Sequence, residues 1–211
     1  MNRILIISKT KMANNRICVG GIDMDNRISV RLLDINGHHE SVDTCQFNIR
    51  DIWNIEYIVY NQRPLPHSED VHVISKTQIG VLRNDIPILD YLNGLNFPIY
   101  QNDILHIFEG RLNCTDSGTL YISGNSVPNN STCFWICDRE MRRSDYNGKI
   151  RYCYQDGVRR WGYNISYVGL ENNPAHIIPR GTLMRLSLAH WWSPEDTNVE
   201  ERCYLQLSGW Y

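Results

Sequence analysis

The chain has 211 residues, of which 42% are hydrophobic and 21% charged, and its formal net charge is −2. These fractions are ordinary for a folded protein and exclude collagen-like, fibrous and disordered chains. No apolar run approaches the roughly 18–20 residues that span a bilayer, and the apolar stretch at residues 4–7 is shorter than the ~7–15 residues of a secretory signal. We therefore expect a cytoplasmic protein that does not bind membranes.

The first part of the chain predicts short β-strands. An apolar run at residues 3–8 is typical of a buried strand. Residues 17–23 and 27–34 predict a hairpin around residues 24–26. Residues 52–60 alternate between apolar and polar side chains, as a half-buried strand does.

The middle of the chain carries the one helix signal. Pro64 and Pro66 end the strand pattern. Residues 85–93 predict a short helix, with Asp85 as its N-cap and Gly94 just after its end.

Strand patterns return in the second half. Six short segments bounded by Gly, Asn or Pro are interpreted as strands: residues 120–123, 132–137, 149–154, 163–168, 183–189 and 203–207. Asn147-Gly148 is a hairpin signal before the third of them. Many short strands with few helices indicate barrels or sandwiches. We predict a mainly β protein with β units at residues 1–75 and 106–211, joined by a segment at residues 76–105 that contains the short helix.

Basic residues concentrate in two stretches. Residues 1–31 hold six basic and two acidic residues, and residues 138–160 hold seven basic and four acidic ones. Arginine accounts for 17 of the 21 basic residues, and its planar fork suits phosphate and base stacking. The rest of the chain is acidic, so this segregation predicts a basic face on an acidic protein, with compositional drift as the alternative.

No recognised catalytic or cofactor motif is present. Cys133 and Cys137 lack the spacing of a zinc ribbon and share one face of a strand, so we expect them in a core. The chain has no nucleophile elbow, no paired-histidine zinc motif and no phosphate loop. His67, Glu69 and Asp70 could act as an acid–base group, but a proline-flanked turn explains them without catalysis. We expect no metal and no cofactor, and the sequence does not favour an enzyme.

The strongest candidate binding site combines cations with aromatic rings around residues 149–163. Aromatic side chains stack on bases and cations neutralise phosphates. The alternative is that the rings fill a barrel whose wet face carries the cations. The candidate residues are Lys149, Arg151, Arg159, Trp161 and Tyr163.

A second candidate is the basic loop near the N-terminus together with the strand that follows it. The loop joins two predicted strands, where binding loops commonly lie, although a solvated connector has the same composition. Its candidate phosphate contacts are Lys9, Lys11 and Arg16, with Arg31 on the neighbouring strand.

Three stretches together resemble the bacterial dual OB-containing domain family. They are Cys18-Val19-Gly20-Gly21-Ile22-Asp23 before an Arg-bearing strand, Pro66-His67-Ser68-Glu69-Asp70, and the tail at residues 185–211. The motif order spans nearly the whole chain. The resemblance implies two OB-like barrels, a nucleic acid or nucleotide-like ligand, and a setting in bacterial conflict or mobile-element systems.

These observations predict a non-enzymatic protein that binds nucleic acid, as single-stranded DNA or RNA. One alternative is a sensor of a small nucleotide or modified base, in a cleft between the barrels lined by His67, Trp191 and Trp192. Another is a scaffold for a partner protein, because the acidic remainder of the chain repels nucleic acid. The sequence leaves the oligomeric state open.

Overall fold

The computed structural model describes residues 1–59, 64–194 and 200–211. It confirms a mainly β protein with two OB-like units. Unit 1 comprises Met1–Arg63, Ser68–Phe97 and Tyr211, and unit 2 comprises Pro64–His67 and Pro98–Trp210.

Unit 1 contains a closed barrel. Its elements are β1 (Asn2–Met12), β2 (Arg16–Asp23), β3 (Ile28–Leu33), β4 (Glu40–Ser41), β5 (Asp51–Val59), β6 (Asp70–Val81) and α1 (Ile88–Gly94). The sheet runs β1-β5-β6-β3-β2, and β2 pairs again with β1, which closes five strands into a barrel. The β3–β6 pair is parallel and the other barrel pairs are antiparallel. This is the strand order of an OB-fold barrel. Residue 75, the expected end of the first unit, lies inside β6.

The barrel interior of unit 1 is filled by apolar side chains that alternate along the strands. Phe47, from the segment before β5, packs edge-on against Trp53 with ring centroids 4.9 Å apart. Each such buried side chain contributes roughly 1.5–3 kcal/mol to stability. The interior residues are Ile4, Ile6, Ile17, Val19, Val30, Leu32, Phe47, Trp53, Ile55 and Val71.

The predicted helix is present but begins later than expected. Its N-cap is Pro87, which makes no side-chain cap, while Asp85 pairs with Arg83 at 2.5 Å. The expectation that Asp85 caps the helix is therefore wrong. Ile88 and Leu92 form the buried side of α1. No helix in the described ranges is long and apolar enough to cross a membrane.

Unit 2 contains a strongly curled sheet. Its strands are β7 (Ile99–Tyr100), β8 (Asn113–Cys114), β9 (Leu120–Ser123), β10 (Thr132–Ile136), β11 (Met141–Tyr146), β12 (Lys149–Tyr154), β13 (Tyr163–Tyr167), β14 (Ile177–Ile178), β15 (Leu183–Leu188) and β16 (Arg202–Trp210), with 3₁₀ turns at Ile104–His106 and Phe108–Gly110. The main path runs β14-β11-β12-β13-β16-β15-β10-β7, and the β8–β9 hairpin joins beside β16.

The topology of unit 2 matches that of unit 1 when β10 and β11 are taken as one interrupted strand. β10 pairs with β15, and β11 pairs with β12. In unit 1, β1 pairs in the same way, with β5 through residues 2–5 and with β2 through residues 4–12. The β13–β16 pair is parallel, like β3–β6. Both units therefore have the OB order, although their sequences contain no evident repeat.

The core of unit 2 is rich in aromatic residues. Trp135, Tyr152 and Tyr154 are fully buried. Cys133 and Cys137 are buried in the same core, which confirms the prediction from their spacing. The Tyr154 hydroxyl lies 3.1 Å from Asp103 and 3.0 Å from Asp138, so this buried phenol is satisfied by carboxylates.

Candidate nucleic-acid interface

The outer face of β1, β2 and β3 in unit 1 is largely buried. Side chains along each strand alternate between the barrel interior and this outer face, so residues between the core positions point outward. The Tyr211 hydroxyl donates to the Ile7 carbonyl on this face. The outward residues that are buried are Leu5, Ile7, Ser8, Thr10, Gly20, Ile22, Arg31 and Leu33.

Arg31 belongs to this buried face. Its Nη1 lies 2.8 Å from Asp70 Oδ1, and both side chains are almost fully buried. Its backbone N–H also donates to the Glu69 carbonyl at 2.7 Å. A buried guanidinium with a carboxylate partner is not presented to phosphate, so the structure corrects the expectation that Arg31 contacts nucleic acid.

The basic residues of the N-terminal loop in unit 1 have different surroundings. Lys9 Nζ donates to the Phe47 carbonyl at 2.7 Å, which ties the lysine to the end of the barrel. Lys11 and Arg16 are exposed, and Arg16 Nη1 donates to the His39 carbonyl at 2.5 Å. Two of the candidate cations therefore remain at the surface of unit 1.

The outer face of β11, β12 and β13 in unit 2 is mainly polar, and its residues are exposed or half-buried. The register places Ser144 opposite Arg151, and Arg151 opposite Ser166. Gln206 on β16 extends this row beside Ser166. None of the outward positions of the three strands is acidic or buried; they are Arg142, Ser144, Tyr146, Lys149, Arg151, Cys153, Asn164 and Ser166.

Three of these residues form a cationic strip, defined as Arg142, Lys149 and Arg151. Arg142 pairs with Glu140 at 2.8 Å, but both side chains are exposed, which makes the pair weak. The Arg151 guanidinium lies 5.6 Å from the centre of the Tyr146 ring. Its Nε is buried and has no hydrogen-bond partner among the described residues. Lys149 has no ion pair in the part of the chain that the structure describes.

A structured loop at residues 155–162 lies at one end of the strip. The Asp156 carboxylate accepts hydrogen bonds from the Val158 and Arg159 N–H groups at 2.9 and 2.8 Å. Burial opposes ionisation of Asp156, but these hydrogen bonds outweigh it and lower the pKa of the carboxyl. Trp161 on this loop is 69% exposed, and the Arg160 guanidinium lies 4.8 Å from the centre of its ring.

Tyr163 does not face the ligand side. It is 5% exposed and stacks on Tyr154, with ring centroids 6.2 Å apart. Arg159 lies 5.5 Å from the centre of the Tyr163 ring and covers it from outside. The expectation that Tyr163 stacks on a base is therefore corrected, whereas Trp161 and Arg159 remain available.

Three aromatic rings form a cluster, which is called the aromatic cluster and consists of Tyr121, Trp192 and Tyr204. No sequence pattern groups these three residues together. Tyr121 and Tyr204 are opposite each other across the β9–β16 pair. Their ring centroids are 6.1 Å apart, and those of Trp192 and Tyr204 are 6.0 Å apart. Each tyrosine lies between two core residues of its strand, a pattern that marks it as outward-facing. The pairing of β9 with β16 has no local signal.

A family model described as the dual OB-containing domain matches residues 2–210. The chain belongs to this family. Searches of curated proteins and of solved structures found no match. Because the chain is a dual OB protein, each strand of one unit can be compared with its counterpart in the other.

The remaining candidates of the dual OB protein lie within unit 2. His67 is buried, its ring centroid is 4.6 Å from that of His190, and its Nε2 is 4.0 Å from Cys203 Sγ. Trp191 packs against the core and donates from Nε1 to the Leu65 carbonyl at 2.9 Å. Trp192, in contrast, is 54% exposed. These contacts give His67 and Trp191 packing roles and leave Trp192 at the surface.

The outward positions of this face include one thiol, that of Cys153. Burial raises the pKa of the Cys153 thiol, so this outward cysteine is protonated at neutral pH and is a poor nucleophile. The described ranges contain no group of three metal-ligating side chains. What the outer face of unit 2 offers is positive charge, hydrogen-bonding groups and exposed rings.

Proposed function

We propose that this protein binds nucleic acid as a single strand across the outer face of β11, β12 and β13. The observation that carries the proposal is the cationic strip, which lies on the strands that OB-folds commonly use for oligonucleotides, with no carboxylate among the outward positions. Membership of the dual OB family supports the same function, because OB-folds commonly bind nucleic acid.

The charge pattern favours phosphate as the group that is recognised. Lys149 and Arg151 are adjacent on one strand face, and Arg159 and Arg160 follow on the loop beside it. Neutralising phosphates releases counterions, so affinity should fall with salt by roughly 0.7 log units per log unit of salt for each phosphate on a single strand. Exposed Trp161 offers a ring to a base beside these cations.

A single strand fits this face better than a duplex does. The outward side chains at the centre of the sheet are short and polar, so bases can approach the strands and hydrogen-bond to Asn164, Ser166 and Gln206. The described residues of unit 2 form 3₁₀ turns but no α-helix that could enter a major groove. The setting in bacterial conflict systems that the resemblance implies stays a prediction.

The test is a titration of the protein into labelled single-stranded DNA, single-stranded RNA and duplex DNA at two salt concentrations, followed by fluorescence anisotropy. We expect salt-dependent binding with single strands preferred. The variant Arg151→Glu should bind more weakly, whereas Arg180→Glu, which makes the same charge change in the turn after β14, should bind like the wild type. No binding at low salt contradicts the proposal. A thermal shift with mononucleotides alone then supports the small-nucleotide sensor.

A further inference from the structure

We propose that the aromatic cluster is a base-stacking site for the strand whose phosphates lie on the cationic strip. The inference rests on the proposed function and deepens it, because it assigns recognition of unpaired bases to Tyr121, Trp192 and Tyr204. It makes these rings the reason for a preference for single strands, since a duplex keeps its bases stacked inside.

The cluster is outward-facing by the pattern of its strands. The neighbours of Tyr121, Leu120 and Ile122, are fully buried in the unit 2 core. Tyr204 lies between two core residues of β16 in the same way. The planes of neighbouring rings are tilted by 50° and 56°, so the three rings do not stack flat on one another.

Exposure separates Trp192 from the other tryptophans of the tail. Trp191 and Trp210 pack against the unit 2 core. Trp192 is 54% exposed although its neighbour in sequence is packed. An indole is a large apolar surface to leave in water, and an exposed one beside two further rings is typical of a recognition surface.

Arg202 adds a positive charge to the cluster. Its guanidinium lies 4.1 Å from the centre of the Tyr121 ring. Its Nε is buried, has no hydrogen-bond partner among the described residues and is 3.7 Å from the Glu200 carboxylate. A cation held against a ring can stack on a base and also hydrogen-bond to a base edge or a phosphate.

The cluster and the cationic strip belong to one continuous sheet. β13 is the strand between β12 and β16, so these two strands are about two strand spacings, or ~10 Å, apart. An isolated bridge joins Thr119, just before β9, to Asn164 on β13. One oligonucleotide crossing the sheet can therefore place phosphates on β12 and bases on the aromatic cluster.

The experiment compares an oligodeoxythymidine with an abasic chain of the same length, using wild type, Trp192→Ala and Trp192→Phe. We expect Trp192→Ala to lose about fivefold or more in affinity for the oligodeoxythymidine and nothing for the abasic chain. Trp192→Phe keeps a ring and should retain most of the affinity. The preference for single strands over duplex should shrink in Trp192→Ala, while the salt dependence stays.

The outcomes separate this inference from the proposed function. If Trp192→Ala and Tyr121→Ala bind the oligodeoxythymidine like the wild type, and binding remains salt-dependent, the stacking site is wrong and nucleic-acid binding stands. If the wild type binds neither chain at low salt, the proposed function fails and the inference fails with it. Circular dichroism of each variant checks that the fold is intact.

Discussion

The two OB-like units share a strand order but differ in the side chains that they place on the same outer face. In unit 1 the outward positions of the first three strands include Leu5 and Ile22, and they are buried. In unit 2 the corresponding strands carry an exposed Lys149 and a half-buried Arg151. The topology is common to both, so the difference comes from the side chains placed on it. An OB barrel therefore identifies a binding face only where that face is polar and open.

The largest expected effect in this comparison comes from breaking the Arg31–Asp70 ion pair. Because both side chains are buried, Arg31→Met leaves the Asp70 carboxylate without this cation, and breaking such a pair costs about 3–5 kcal/mol. We expect a large drop in the urea midpoint of unfolding. The double variant Arg31→Met/Asp70→Leu should recover part of the loss.

The same variants show whether Arg31 also serves a ligand. At temperatures where Arg31→Met is folded, its oligonucleotide affinity should equal that of the wild type. A loss of affinity in the double variant, with the fold intact by circular dichroism, contradicts the assignment of Arg31 to packing.

A smaller effect is expected from Asp23, which is buried in unit 1. Burial opposes its ionisation, but hydrogen bonds from Tyr57, Asn2 and Asn26 outweigh that effect and lower its pKa below the ordinary 3.8. The unfolded chain then binds a proton more readily than the folded one. This part of the stability is fully present above the unfolded pKa and is lost as the pH falls through the folded pKa.

Asp23→Asn tests this pH dependence. At neutral pH we expect the variant to lose about 1–3 kcal/mol of stability, because a charged acceptor of several hydrogen bonds is removed. The difference from wild type should shrink towards about pH 3, in urea unfolding measured at both pH values. Asp156→Asn in the exposed loop of unit 2 is the control, and it should change stability much less. A constant difference for Asp23→Asn contradicts the assignment.

Much of the fold could be predicted from sequence where the alternation is regular. The β2–β3 hairpin and strands β12 and β13 lie close to the predicted ranges. β6 was missed because its pairing with β5 shifts register twice, which breaks the period of two. β11 was missed because its sequence, Met141–Tyr146, is polar and faces solvent at four of six positions.

The sequence predicts the candidate site only where its geometry depends on residues of a single strand. The outward side of Lys149 and Arg151 follows from alternation within one strand. Burial of Arg31 and Tyr163 could not be predicted, because it depends on Asp70 and Tyr154, which lie elsewhere in the chain. The aromatic cluster depends on the pairing of β9 with β16, which no turn connects.

Arg151→Glu tests the open face of unit 2 directly. The substitution replaces a phosphate contact with a repelling charge, so the salt dependence should fall by roughly 0.7 log units or more per log unit of salt. Its effect should be similar on different oligonucleotide sequences, because phosphate contacts carry no base information. Anisotropy titrations over a salt series measure both quantities. An unchanged slope removes Arg151 from the interface.

Arg16→Glu should give the smallest change, of less than about twofold in affinity. Arg16 is exposed on unit 1, but its guanidinium is engaged by the His39 carbonyl, and its strand pairs with β4, which carries Glu40. Asp43 lies close by, accepting a hydrogen bond from Asn15 at 2.9 Å. A phosphate at this loop would therefore meet negative charge as well as positive charge.

The same salt series decides whether unit 1 takes part in binding. If Arg16→Glu lowers the slope as much as Arg151→Glu does, the N-terminal loop is a second contact for the oligonucleotide, and the contrast between the two units is wrong. If only Arg151→Glu lowers it, the exposed cations of unit 1 are solvated surface charge. Lys11→Glu repeats the test at a second exposed cation of the loop and should give the same result as Arg16→Glu.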